Sequence, residues 1–187
     1  MKDKIYFLYK NNCIKELNKV LDKLSNSYFD NDHCRIVDLC NDFGITCGMQ
    51  DLKINISSYA MFNGSYNNRF NNNKVIVVNS KYGIKYKRMQ YAYNFFKYIY
   101  NDNNEIYDVV YEDIYDIEYY DSALKLLLPE KRILKDYKKY RSKNSEVATI
   151  MMLSDKYLVS YNGVESRIKT LNKNKKDNLL FKKIKRI

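Results

Sequence analysis

Lys87-Arg-Met-Gln-Tyr-Ala-Tyr-Asn-Phe-Phe-Lys-Tyr-Ile-Tyr100 decides how this chain is read. Met89, Ala92, Tyr93 and Phe96 recur at i, i+3, i+4 and i+7, with Tyr100 extending the row. That spacing places apolar side chains on one face of an α-helix, aimed at a core. Tyr93 and Lys97 are also four residues apart, one helical turn, with Asn94 between them. Further on, Glu118-Tyr-Tyr-Asp-Ser-Ala-Leu-Lys-Leu-Leu-Leu-Pro129 predicts a second apolar helix over Ala123 to Leu128, closed by Pro129.

Taken together, these two segments resemble the ImmA/IrrE family of metallopeptidases. There the first segment carries a His-Glu-x-x-His pair and the second a Glu-Ala-Asn…Leu-Leu-Met-Pro block. The five positions of the zinc motif are here Tyr93, Asn94, Phe95, Phe96 and Lys97. A catalytic zinc of that kind needs two neutral imidazoles at i and i+4, and a carboxylate to deprotonate the bound water. Tyr93 and Lys97 keep the spacing without the chemistry. A protonated lysine has three donors and no lone pair, and Asn94 has no useful basicity at neutral pH. His33, the sole histidine, is far away in sequence. Glu118 matches the family's third ligand. It has two readings: an ion pair with Lys97 in place of the metal, or a surface acid with Lys97 extended to solvent.

The resemblance covers about residues 30–172 and implies an α+β fold. Helices would pack around a small, mainly antiparallel sheet in a zincin-like core, with a C-terminal helix-turn-helix-like unit. It leaves residues 1–29 as an N-terminal amphipathic helix and 173–187 as a basic tail. It also implies a pseudo-enzyme without zinc or other cofactor and without catalytic residues. The implied partner is a protein, either a regulator carried on a mobile element or a host defence nuclease, as in anti-CRISPR activity. No P-loop or dinucleotide fingerprint is present, and adjacency of His33 to Cys34 is poor support for a nucleophile and base.

The remaining elements follow from periodicity. Ile14, Leu17, Val20, Leu21 and Leu24 predict an amphipathic helix over Asn12 to Ser27. A second helix is expected from Asp32 to Asp42, stopped by Gly44. The period then shortens to two, predicting strands over Leu52 to Ile56, Tyr59 to Phe62, Tyr66 to Phe70 and Val75 to Val78. Turns are expected at Asn63-Gly64 and Asn71 to Asn73. From Ser145 to Leu171, one stripe of Val147, Ile150 and Met151 and another of Val164, Ile168 and Leu171 form the helix-turn-helix-like unit, with Ser160 as N-cap.

Charge is strongly polarised over these 187 residues, whose net is +11. Arg167, Lys169, Lys173, Lys175, Lys176, Lys182, Lys183, Lys185 and Arg186 face only Asp177, a net of +8 over the last 21 residues. These nine are the candidates for contact with nucleic acid or an acidic partner; a solvated tail, or docking on an anionic membrane surface, are the other readings. From Asn101 to Asp121 the balance is −8, with eight acids and no Lys or Arg. Within it Tyr107, Tyr111, Glu112, Asp113, Tyr115 and Asp116 form a candidate protein-binding surface, since tyrosine supplies large amphipathic contact area. Cys13, Cys34, Cys40 and Cys47 read as reduced thiols of a cytoplasmic chain, and no apolar run is long enough to span a bilayer. Cys34 and Cys40 lack a recognised paired-ligand spacing for zinc.

Overall fold

The computed structural model describes residues 1–30, 32–62, 74–101, 106–111 and 115–184, and the side chains of all of these except 106–107 and 174–184. Two helices rather than one open the chain. α1 (Lys2–Lys10) buries Ile5 and Leu8, a short i, i+3 contact that the sequence reading missed. Asn12, at φ 52, turns the chain through the left-handed region, which asparagine tolerates. α2 (Ile14–Ser27) then buries Leu17, Leu21 and Leu24, while Ile14 stays exposed.

The helix expected from Asp32 begins later, because β1 (Phe29–Asp30) and β2 (His33–Cys34) first form a small antiparallel ladder. α3 (Ile36–Asp42) follows and ends at Gly44, whose φ of +71 is readily available only to glycine. The main sheet comprises β3 (Ile45–Gln50), β4 (Ile56–Phe62), β5 (Lys74–Asn79) and, after the central helix, β6 (Ile106–Tyr111), in the order β3-β5-β4-β6. β3 runs parallel to β5, while β4 pairs antiparallel with both β5 and β6, so the sheet is mainly antiparallel. The strand expected over Leu52 to Ile56 is instead a connection that reaches β4 only at Ile56. Asn79 pins it by donating Nδ2 to the Ile56 carbonyl at 2.9 Å. The expected strand Tyr66 to Phe70 and both expected turns lie outside the described residues.

α4 (Ile84–Tyr100) is the quoted helix, and every residue from Arg88 to Tyr100 is buried. The single apolar stripe predicted for it is a correction in degree. α1, α3 and α5 cover it on one side and β4 and β5 on the other, so its polar positions also lie inside. α5 (Ile117–Leu127) starts two turns before its apolar run, and Pro129 caps α6 (Glu130–Arg141), a helix whose lysine-rich outer face hid it from periodicity.

α7 (Glu146–Tyr157) and α8 (Tyr161–Ile184) are separated by three residues, with Leu158 at φ 51. The expected α7 stripe is out of phase. Ile150 is buried with Leu153 and Tyr157, while Val147 and Met151 are 58% and 57% exposed. α8 buries Val164, Ile168 and Leu171 as expected, and its backbone continues as one helix across the 172/173 boundary drawn from sequence. Among the described residues, no helix is long and apolar enough to cross a membrane.

Gly163 sets how closely α8 approaches α5. A Cβ there would lie 3.0 Å from Val159 Cγ1, 3.1 Å from Leu124 Cδ2 and 3.1 Å from the Ser160 hydroxyl, which accepts from the Gly163 amide. Gly163→Val should therefore overpack this junction and cost about 1–3 kcal/mol. A denaturant midpoint equal to the parent's would show that α5 and α8 separate freely.

Candidate functional site

α4 brings the motif positions together at its middle, where they face β6 and the start of α5. Lys97, though only 8% exposed, reaches Asp108 on β6 in a close ion pair and lies 5.1 Å from the centre of the Tyr93 ring. Glu118 instead accepts a hydrogen bond from the Tyr9 hydroxyl of α1. Of the two readings, Lys97 is neither paired with Glu118 nor extended to solvent, while Glu118 is an exposed acid; each makes its own contact. The physical reason is that β6 runs alongside β4 and delivers a nearer carboxylate, whereas Glu118 lies in the exposed first turn of α5.

Tyr93 fills the space between α4 and α5. Its ring makes edge contacts with Tyr115 and Tyr119, at 5.1 and 5.8 Å between centroids. Its hydroxyl accepts from the Asp116 amide at 3.1 Å and donates to the Asp116 carboxylate at 3.4 Å. Burial pushes this phenol up to about 12, so it is neutral at physiological pH. Behind it runs a polar chain. Asn94 donates to the Ser58 hydroxyl at 2.9 Å, Ser58 donates to Gln90 Oε1 at 2.9 Å, and Gln90 donates to the Tyr115 hydroxyl at 2.6 Å. Among the described residues, Asn94 Oδ1 is buried without a partner.

These donors do not fit a zinc ion. The motif offers a neutral phenol, an amide engaged by Ser58 and a lysine ammonium already paired with Asp108. The Lys97 ammonium puts a positive charge where a ligand set would require lone pairs, and Glu118 already accepts from Tyr9. Among the described residues no three His, Cys, Asp or Glu side chains gather at metal-binding spacing. Cys34 and Cys40 are buried, and the Cys40 thiol hydrogen-bonds Cys47, which raises the first thiol's pKa and lowers the second's.

The other candidate residues separate into three groups. Arg167 is not a surface contact. It is 5% exposed, and its Nε donates to the Leu128 carbonyl at 3.3 Å, tying α8 to the end of α5. Its place in the buried stripe beside Val164, Ile168 and Leu171 is why the charge count misread it. Lys169 is exposed but paired with Glu165 one turn earlier at 2.9 Å, and Lys173 is exposed. Lys175, Lys176, Lys182 and Lys183 lie on the α8 backbone, whereas Lys185 and Arg186 lie outside the described residues.

In the acidic segment, Tyr107 and Tyr111 lie on β6 in register with Met61 and Ile56. Tyr111 is 49% exposed, and Ile117 at the head of α5 is 80% exposed between the exposed Asp116 and Glu118. Tyr115 belongs to the packed wall around Tyr93, and Glu112 and Asp113 lie outside the described residues. Asp108, Tyr9, Ser58 and Gln90 were missed. Asp108 was visible only as one of eight acids, and the other three carry no signal until the elements pack. A cleft of about 670 Å³ lies at the other end of α4, lined by Ile84, Tyr86, Met151 and Tyr161, with a Lys85–Asp155 ion pair of 2.5 Å on its rim. Compared with known proteins, the chain matches no family model and no curated sequence.

Proposed function

We propose that this chain is a catalytically inactive, metallopeptidase-like protein of ImmA/IrrE type that binds a protein partner and sequesters or inhibits it. The reading rests on the order of segments around α4 and on the chemistry at the five motif positions. Lys97, paired with Asp108, supplies a fixed positive charge where the family places a ligand, and Tyr93 with its aromatic neighbours fills the cleft. Such a site holds its shape without a metal and offers no general base. The partner classes are a regulator or a defence nuclease of a mobile-element contest, and the expected location is cytoplasmic.

The observation that carries the binding role is Ile117. A large apolar side chain 80% exposed, flanked by Asp116 and Glu118 at the mouth of the filled cleft, contributes nothing to the core. Apolar and aromatic anchors ringed by polar groups are what interface centres use. The use of α7 and α8 as a nucleic-acid reader is the weaker reading, because Arg167 is turned inward and Lys169 is paired.

A photo-crosslinking side chain placed at 117 tests the proposal in cells that carry this chain. The expected result is one protein adduct that survives nuclease treatment, is absent when the probe is placed at the exposed Val147, and disappears with Tyr111→Ala. Adducts identical at 117 and 147, or adducts that vanish with nuclease, would remove the basis for a protein-binding cleft.

A further inference from the structure

A second surface, on the helices that carry no part of the motif, has a different chemistry. On α2 the buried Leu17, Leu21 and Leu24 leave Lys15, Lys19 and Lys23 exposed at successive i+4 positions. On α6, Ile133, Leu134, Tyr137 and Tyr140 pack inward. At 100° per residue, Lys131, Lys135, Lys138 and Lys139 therefore share the outward face. A hydrogen bond joins the two helices. Asn26 ends the α2 stripe and accepts a 2.9 Å hydrogen bond from Arg132 Nε at the head of α6, whose guanidinium is further held 4.6 Å from the Phe29 ring centre.

None of these seven lysines makes an ion pair among the described residues. Nearby acids are otherwise engaged or few: Asp136 is bound by Tyr157 and Lys156 at 2.7 and 3.0 Å, while Glu16, Asp22 and Glu130 flank the stripes. Like charges one turn apart repel along each stripe.

We propose that α2 and α6 together form a docking track for the phosphate backbone of duplex nucleic acid. This goes beyond the proposed protein-binding role and uses none of its residues. Each stripe of eight residues' rise spans about 12 Å, over which a duplex presents about seven phosphate charges. No large apolar side chain of α6 is exposed, and on α2 Ile14 alone is. A helix that inserts into a membrane surface needs an apolar face free for lipid, and here that face is spent on the core. A single-stranded ligand would need exposed aromatic rings for stacking, but Phe29 is covered by Arg132 and the α6 tyrosines pack inward. Regularly spaced, unpaired ammonium groups on rigid helices fit a ligand read through its charge alone.

The test uses the full chain and a mixed-sequence DNA duplex of about 20 base pairs, titrated by anisotropy as salt rises. If about four lysines engage phosphates, affinity falls on the order of 100-fold when salt is raised fourfold. The variant K131E/K135E/K139E is expected to bind at least about tenfold more weakly, and the neutral K131Q/K135Q/K139Q to flatten the logarithmic salt slope by about 2.7. The matched charge reversal K169E/K173E/K175E on α8 is expected to change affinity less than threefold. Equal losses in both reversals, loss confined to the α8 reversal, absence of duplex binding at low salt, or binding to phosphatidylserine vesicles without duplex binding would each overturn the track. Circular dichroism melts equal to the parent's establish that the neutral variant is folded.

Discussion

Raising the pH from about 9 to about 11 should remove at least about 3–4 kcal/mol from the stability of the folded chain. The cause is the set of tyrosines packed around α4. Burial pushes the hydroxyls of Tyr91, Tyr93 and Tyr100 up to about 12, while the unfolded chain's tyrosines ionise near the ordinary value of 10.0. A folded-state pKa above the unfolded one means that the unfolded chain loses its proton first. The stabilisation is therefore complete below pH 10 and declines as pH rises toward 12, by at most about 1.4 kcal/mol per hydroxyl per unit. Tyr9 and Tyr157 move in the same direction, by burial and then by their donation to Glu118 and Asp136. Against a total stability on the order of 5–15 kcal/mol, the loss is large enough to shift a denaturant midpoint well outside error. Denaturant titrations at both pH values, followed by fluorescence and phenolate absorbance, check it. Tyr93→Phe should reduce the loss by about 1 kcal/mol. Phenolate appearing in the folded protein near pH 10 with no change in stability would mean that these hydroxyls ionise freely in place.

Which of these features could be read beforehand depended on whether their signal was local. The α2 stripe, the stop at Gly44, the Val75 to Val78 strand and the inward face of α8 all rest on near-neighbour periodicity or a single backbone constraint, and all appear in the fold. β3 and β6 did not announce themselves. Ile45-Thr-Cys-Gly-Met-Gln alternates weakly, and Ile106 to Tyr111 lies within acids, so their strand character comes from pairing with β5 and β4. Similarly, α7 contains apolar side chains on both faces, and only packing against its neighbours selects Leu153 and Tyr157 over Val147 and Met151. The site shows the same division. Sequence spacing grouped Tyr93, Asn94 and Lys97 on one helix, yet the burial of Asn94 and Lys97 came from packing and the partner of Lys97 from the β4–β6 register, which places Asp108 opposite Ala60. Arg167 shows the opposite error, since counting charges ignores which face of a helix a residue occupies.

Asp108→Ala should destabilise the chain by about 2–4 kcal/mol, whereas Lys97→Met should cost no more than about 1 kcal/mol. The asymmetry follows from exposure. The Lys97 side chain is 10% exposed and the Asp108 side chain 38%, so the two single variants leave different charges behind. Losing Asp108 strands an ammonium with little water, facing the Tyr93 ring at 5.1 Å. Losing Lys97 leaves a carboxylate that water still reaches, and Met fills much of the volume the lysine stem occupied. The double variant Lys97→Met with Asp108→Ala should lie close to Lys97→Met alone, giving a coupling of about 2–4 kcal/mol between the positions. A charge placed on α4 for folding stability alone would behave in the opposite way, with Lys97→Met as costly as Asp108→Ala. If the asymmetry holds, the buried ammonium is a liability that Asp108 neutralises rather than a source of stability. On the proposed protein-binding role, its retention then belongs to the shape and charge offered to the proposed partner, and Lys97→Met should weaken cross-linking from position 117 while leaving the fold intact.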